Sequence, residues 1–243
     1  MDLLTTDLDR TLIYSSQSVH IPLNESICIE YIEDRPISYM NERLMNLLRE
    51  ADSHHYIVPV TSRSTKQFTR LQLPITPRYA IVANGGIILR DGRRDVAWDA
   101  FIATQLKTIA PKEEIEPLLA NFERVMLHDE LFFVCRNPAL IVPEALKQTL
   151  LPLGWTAVQN GRKLYILPQF LTKERAVHYL RGQLAYARHL AAGDSVMDVP
   201  MMQLADIAFA PAGSEAAALL PAAASSLQGL PFAEAFILQM NEK

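Results

Sequence analysis

Short apolar runs alternate along this chain with stretches of helical periodicity, and that rhythm predicts a parallel β-sheet covered by helices. Residues 3–6, 56–60, 79–83, 189–192 and 206–210 have the length and the polar or turn-forming boundaries of buried strands. Pro59 stands inside the second of these. Because proline brings no ladder donor, that strand is expected at a sheet edge, or to have left the ladder by its last residues. Met40, Leu44, Leu47 and Leu48 repeat at helical spacing with Ser38 as candidate cap. Before them, the alternating segment 26–39 reads as a small two-stranded flap, the kind of element that often lies over an active site.

The middle of the chain changes character. Residues 98–122 read as helix, 131–137 as a strand and 143–151 as a second helix. Strands at 155–159 and 163–167 flank Asn160-Gly161, a dipeptide that tolerates positive φ at both positions and so predicts a tight antiparallel hairpin. A small α+β insertion at 88–166, interrupting an α/β core formed by 1–87 and 167–243, accounts for the change better than one continuous sheet. There is no internal repeat, and the Ala-, Leu- and Pro-rich stretch 215–235 reads as packed helix and turn.

Composition narrows the classes. With 243 residues, 49% hydrophobic and 21% charged, the chain is globular and long enough for a substantial core. A net charge of −4 supplies no global field toward nucleic acid or anionic lipid, so neither partner is expected and an anionic ligand must be held locally. Cys28 and Cys135 lie far apart and in no zinc or redox motif. Acidic residues near the N-terminus, and the lack of an apolar run of about 18 residues, lead to the expectation of a cytoplasmic protein. The acceptor-like Asn24-Glu25-Ser26 is set aside on the same ground.

Chemistry concentrates where the expected strands end. The first closes on Asp7-Leu8-Asp9, the second on Thr61-Ser62-Arg63 and the fourth on Gly193-Asp194, with Asp198 one turn further on. In a parallel sheet these carboxyl ends lie side by side, where open α/β sheets bind ligands. Any one of them alone could be an ordinary turn. Together they make an oxygen cluster suited to magnesium, with no His or Cys of the kind zinc prefers.

In this order the segments resemble the four motifs of the haloacid dehalogenase superfamily of phosphohydrolases: Asp7-Leu8-Asp9-Arg10-Thr11, then Thr61, then Lys173 in LTKERAVHYL, then Gly193-Asp194-Ser195-Val196-Met197-Asp198. Ala83-Asn84-Gly85-Gly86 is similar to the turn that precedes the cap in the Cof-type and sucrose-phosphatase-like branch. The resemblance implies a Rossmann-like core with an inserted α+β cap, and a magnesium-dependent phosphatase acting on a small phosphorylated metabolite such as a sugar phosphate. It implies Asp7 as nucleophile, Asp9 as general acid and base, and Thr61 and Lys173 as partners of the phosphoryl oxygens. Asp7, the Asp9 carbonyl and Asp194 would hold Mg2+, with Asp198 completing that group by orienting waters or Lys173. Ser62, Arg63, Asn84 and Gly85 are candidate substrate contacts. A sugar phosphomutase, or a catalytically weakened binding or regulatory protein, would carry the same motifs.

Two positions depart from the branch, which has glycine in place of Arg10 and asparagine in place of Met197. Arg10 either adds a cation for an anionic substrate or turns to the flap to satisfy Glu30, Glu33 or Asp34; the second is expected. Phe132, Phe133, Trp155 and Tyr165 are expected in the cap core, with Tyr165 or Lys163 able to face the cleft.

Overall fold

The computed structural model describes residues 1–16 and 25–241; Asn24 lies outside them. Its frame is a parallel sheet of β1 (Leu3–Thr6), β5 (Tyr56–Pro59), β13 (His189–Ala192) and β14 (Ile207–Phe209), in the order β14-β13-β1-β5. A parallel bridge from Val60 to Ile81 adds β6 (Tyr79–Val82) beside β5. All the expected core strands therefore form. They are largely apolar because both faces of the central strands are covered, with Thr5, Thr6 and His189 as buried polar exceptions. Leu3, Val58 and Ala191 pack with Ala176, Val177 and Leu180 of the helix Lys173–Arg181. Leu4, Ile57 and Leu190 pack on the other face with Leu44 and Leu48 of the helix Glu42–His54 and Phe236 of the helix Gly229–Asn241.

β5 is an edge strand of this hydrogen-bonded sheet, as proline at 59 predicts, and β6 joins it only through the bridge at Val60. Pro59 stays in register with Thr6, and the N–H groups of Tyr56 and Val60 donate to β1 at Asp2 O (2.9 Å) and Thr6 O (2.8 Å). By alternation, position 59 faces β6. The missing donor falls on that side, where pairing begins only at Val60.

The flap gains a third strand: β2 (Tyr14–Ser15), β3 (Ile27–Ile32) and β4 (Arg35–Met40) pair in the order β2-β4-β3, and Glu33 and Asp34 make the turn with φ of 49° and 64°. Met40 ends β4, so the helix cap is Asn41 rather than Ser38; its side chain accepts the Leu44 N–H.

After β6 the chain turns through Ala83–Gly85 and returns antiparallel as β7 (Ile87–Arg90), followed by β8 (Arg93–Arg94), so residue 88 lies in a strand hydrogen-bonded to β6. The single helix expected over 98–122 is instead three short ones, Val96–Leu106, Lys112–Ile115 and Glu116–Leu119, because Pro111 and Pro117 cannot continue an α-helical ladder. The cap sheet is antiparallel, of β9 (Glu123–His128), β10 (Phe132–Arg136), β11 (Trp155–Asn160) and β12 (Lys163–Pro168), in the order β11-β12-β10-β9. The first of these was not legible in the sequence. Phe133 and Trp155 fill the cap's own core, whereas Phe132 and Tyr165 join the main cluster between cap and core. The tight turn is Gly161-Arg162, not Asn160-Gly161: Asn160 pairs with Lys163, and of the two only Gly161 has positive φ, at 54°.

Candidate active site

The strand ends converge. The Asp7 N–H donates to Ala192 O at 2.9 Å, holding the first acid in line with β13, and the chain then coils on Leu8 O, which accepts from Thr11, Leu12 and Ile13. Arg10 sits in that coil with φ of 64°. Asp7 is buried, while Asp9 is exposed in a cleft of about 750 Å³ between core and cap.

Lys173 opens its helix behind the cap of Thr172 and is 3% exposed. Its Nζ donates to Asp7 Oδ1 and to Asp198 Oδ1, both at 2.5 Å. Asp198 accepts through its other oxygen from the Ser195 N–H (2.9 Å) and hydroxyl (2.7 Å). Only glycine fits at 193, since a Cβ there would stand 2.3 Å from that of Asp198. Ligand atoms of Asp7, Asp194 and Asp198 lie within 4.8 Å of one another.

Lys173 pairs with two buried carboxylates, and the half-buried Asp194 stands beside them with no ion pair of its own among the described residues. Burial raises the Asp7 carboxyl well above the usual range; Lys173 opposes this, and the charges of Asp198, Asp194 and Asp9 reinforce it. Asp194 is pushed up to about 7 by burial and by Asp198, with Lys173 and Arg10 pulling the other way. Lys173 moves upward because Asp198 and Asp7 outweigh the burial that disfavours its charge. The surplus negative charge and the all-carboxylate donor set fit a hard divalent cation. Both oxygens of Asp198 are already engaged, so Asp194 and the second oxygen of Asp7 are the open donors, and Asp198 holds Lys173 and the loop.

Asp9 is clamped from the other side. Arg63 donates from Nε and Nη2 to its two oxygens at 2.8 Å each, and from Nη1 to Glu30 at 2.9 Å. Glu30 lies 1% exposed in β3 and also takes Arg70 (2.7 Å) and the Ser38 hydroxyl (2.6 Å). Burial works against ionisation of Asp9, but Arg63 outweighs it and holds the carboxyl below its ordinary value. This network answers Glu30 without Arg10, so the expected turn of Arg10 toward the flap does not occur; Arg10 lines the cleft instead. Glu30 was missed as a site residue, and its signal was a charged position between Ile29 and Ile32 in an alternating strand.

Among the other candidates, the buried Thr61 takes the Arg63 N–H on its hydroxyl at 3.1 Å and donates its own N–H to Ile81 O at 2.8 Å. Ser62 lines the cleft. Asn84 and Gly85 are buried away from it and brace the site from behind. Asn84 Nδ2 donates to Leu171 O at 2.9 Å and its N–H to Thr61 O at 3.0 Å, tying the Thr61 segment to the one that carries Lys173. Met197 lines the cleft, as do Arg162, Lys163 and Tyr165 of the cap hairpin.

The parallel core, the inserted cap and the acid cluster at the strand ends define a phosphatase of the haloacid dehalogenase superfamily. Similar folds include the sucrose-phosphatase of Synechocystis sp. PCC6803 solved with sucrose and phosphate, at 16% identity, TM-score 0.70, and coverage of 99% of this chain and 98% of that one. A trehalose-6-phosphate phosphatase related protein matches at 14% identity and TM-score 0.60 over 99% and 97%. A haloalkanoate-superfamily phosphatase from Bacteroides thetaiotaomicron does so at 13% and 0.59 over 99% and 95%. Comparison with curated proteins gives no match. Residues 1–219 match the family described as sucrose-6F-phosphate phosphohydrolase, and the chain belongs to that family. Among the described residues, no helix is long and apolar enough to cross a membrane.

Proposed function

We propose that this protein hydrolyses a small phosphorylated metabolite of the sugar-phosphate type, with magnesium, through an aspartyl-phosphate on Asp7. The observation that carries the reading is the Lys173 ammonium held between Asp7 and Asp198 beside Asp194, at the floor of the cleft. The similarity to a sucrose-phosphatase fold holding sucrose and phosphate supports the sugar-phosphate class.

Asp7, Asp194 and the Asp9 carbonyl would hold Mg2+, whose bound charge offsets that of the phosphoryl oxygens. The oxygen of Asp7 that does not hold the cation, released as Lys173 turns to the phosphoryl group, attacks phosphorus as the ester P–O bond breaks, and the departing alkoxide takes a proton from Asp9. Asp9 then accepts a proton from water as that water attacks phosphorus and the bond to Asp7 breaks, giving inorganic phosphate. Lys173 and the Thr61 hydroxyl stabilise equatorial oxygens. Donation by Asp9 requires it first to leave Arg63, which holds it ionised, and to take up a proton from solvent in the cleft, which makes Arg63 a positioning residue.

Phosphate release from a panel of sugar, polyol and nucleotide phosphates, with magnesium and with a chelator, tests the reading. Turnover is expected with magnesium only, and Asp7→Asn is expected to lower it by about three orders of magnitude or more. Undiminished hydrolysis by Asp7→Asn would remove Asp7 as nucleophile. Isomerised product without free phosphate would indicate a mutase, and binding without turnover a regulatory module.

A further inference from the structure

Three cations of the cleft form no ion pair with its acids, although the charges of Arg10 and Lys163 are felt at Asp194 and Asp9. Asp9 spends both oxygens on Arg63, and Asp7 and Asp198 share Lys173. Arg10, Arg162 and Lys163 are all exposed, line the same cleft, and have no carboxylate within 4.0 Å among the described residues. They come from both walls: Arg10 from the coil after Asp7, the other two from the cap's hairpin. Arg10 reaches across to that hairpin, since a Cβ on Gly161 would stand 3.7 Å from its Nη2. Arg10 also holds a left-handed backbone, a conformation uncommon for a residue with a side chain.

A phosphate monoester whose phosphoryl group lies against Asp7 already meets Lys173 on the floor of the cleft. The three cations are separate from that ion pair: Arg162 and Lys163 line the cleft from the cap hairpin, and Arg10 lines it from the coil after Asp7. A neutral sugar would bury them against hydroxyls. We propose that Arg10, Arg162 and Lys163 form a subsite for a second anionic group on the substrate, a carboxylate or another phosphate, so that the enzyme prefers phosphorylated sugar acids or bisphosphates to neutral sugar monophosphates. This rests on the phosphatase reading. Guanidinium groups pair both anions in bidentate fashion, and the cap's contribution ties recognition to the position of the cap over the core.

Two matched pairs test it: glucose 6-phosphate against 6-phosphogluconate, and fructose 6-phosphate against fructose 1,6-bisphosphate. The anionic member of at least one pair is expected to have a kcat/KM about tenfold higher or more, and which pair responds separates carboxylate from phosphate. Arg10→Gly, which suits the left-handed backbone, and Arg162→Gln are each expected to shrink that ratio about tenfold, chiefly through KM, whereas Arg10→Lys retains most of it. Calorimetric binding of the same compounds to Asp7→Asn protein reads the subsite without turnover. Equal binding within both pairs, or an Arg10→Gly loss shared equally by neutral and anionic members, overturns the subsite. Preferential binding of the anionic member with no phosphate release by the wild type keeps the subsite and overturns the phosphatase reading instead.

Discussion

His189 shows how one buried side chain can set a pH limit far from the chemistry. It is fully buried in β13, and its Nε2 lies 2.8 Å from the Thr5 hydroxyl of the neighbouring strand. Burial, reinforced by the Arg181 charge, pushes its imidazole down to about 4 from an ordinary 6.5. Between these values the unfolded chain binds the extra proton and the folded one does not. Stability is therefore intact above about pH 6.5 and falls as pH drops toward 4, by roughly 2–3 kcal/mol. Urea denaturation of the wild type and His189→Gln across pH 7 to 4.5 measures the difference; parallel pH profiles would contradict the assignment. The same scale holds the clearest limit of sequence reading. Asp7, Asp9 and Asp194 were legible because acids closing apolar strands are anomalous, and Lys173 only through its place in the order of motifs, but the direction of Arg10 depended on Arg63 and Arg70 having already met Glu30.

Elements were legible where a single period governed them. Continuous apolar runs marked the parallel strands, since burial on both faces removes alternation. β9 escaped because Met126 and Leu127 are exposed, so its apolar residues follow no buried face. The turn at Ala83–Gly85 has consequences beyond its length. Gly85 has φ of 94°, and a Cβ there would stand 2.2 Å from Thr172 O, the residue that caps the Lys173 helix. Trp98 Nε1 further fixes Gly85 O at 3.0 Å. Gly85→Ala is thus expected to cost about 2 kcal/mol in denaturant titration and to reduce kcat by displacing Lys173. A variant with unchanged stability and turnover would show that the contact yields freely.

At the scale of the whole molecule, the active site is a tie between distant parts of the chain. Lys173 joins the acid after β1 to the one that follows β13, and all three groups are nearly excluded from water. Removing the ammonium leaves buried carboxylates without a counter-charge, so Lys173→Met is expected to destabilise the fold by about 3 kcal/mol in the absence of divalent cation, besides abolishing turnover. Added magnesium should restore part of that loss. Denaturation with and without magnesium checks both statements, and a variant as stable as the wild type without the cation would show that the acids are neutral in the fold.

The linear order of residues determined the α/β core, the interruption by a cap and the identity of the acid cluster, because each is written in local period or in residue types that are costly to bury idly. Tertiary structure alone decided which oxygen of each carboxylate stays open, that Asn84 and Gly85 brace rather than line the cleft, and that three cations there form no ion pair among the described residues. Those outcomes follow from competition among charges brought together over long separations, and a charge is satisfied by whatever neighbour folding places beside it.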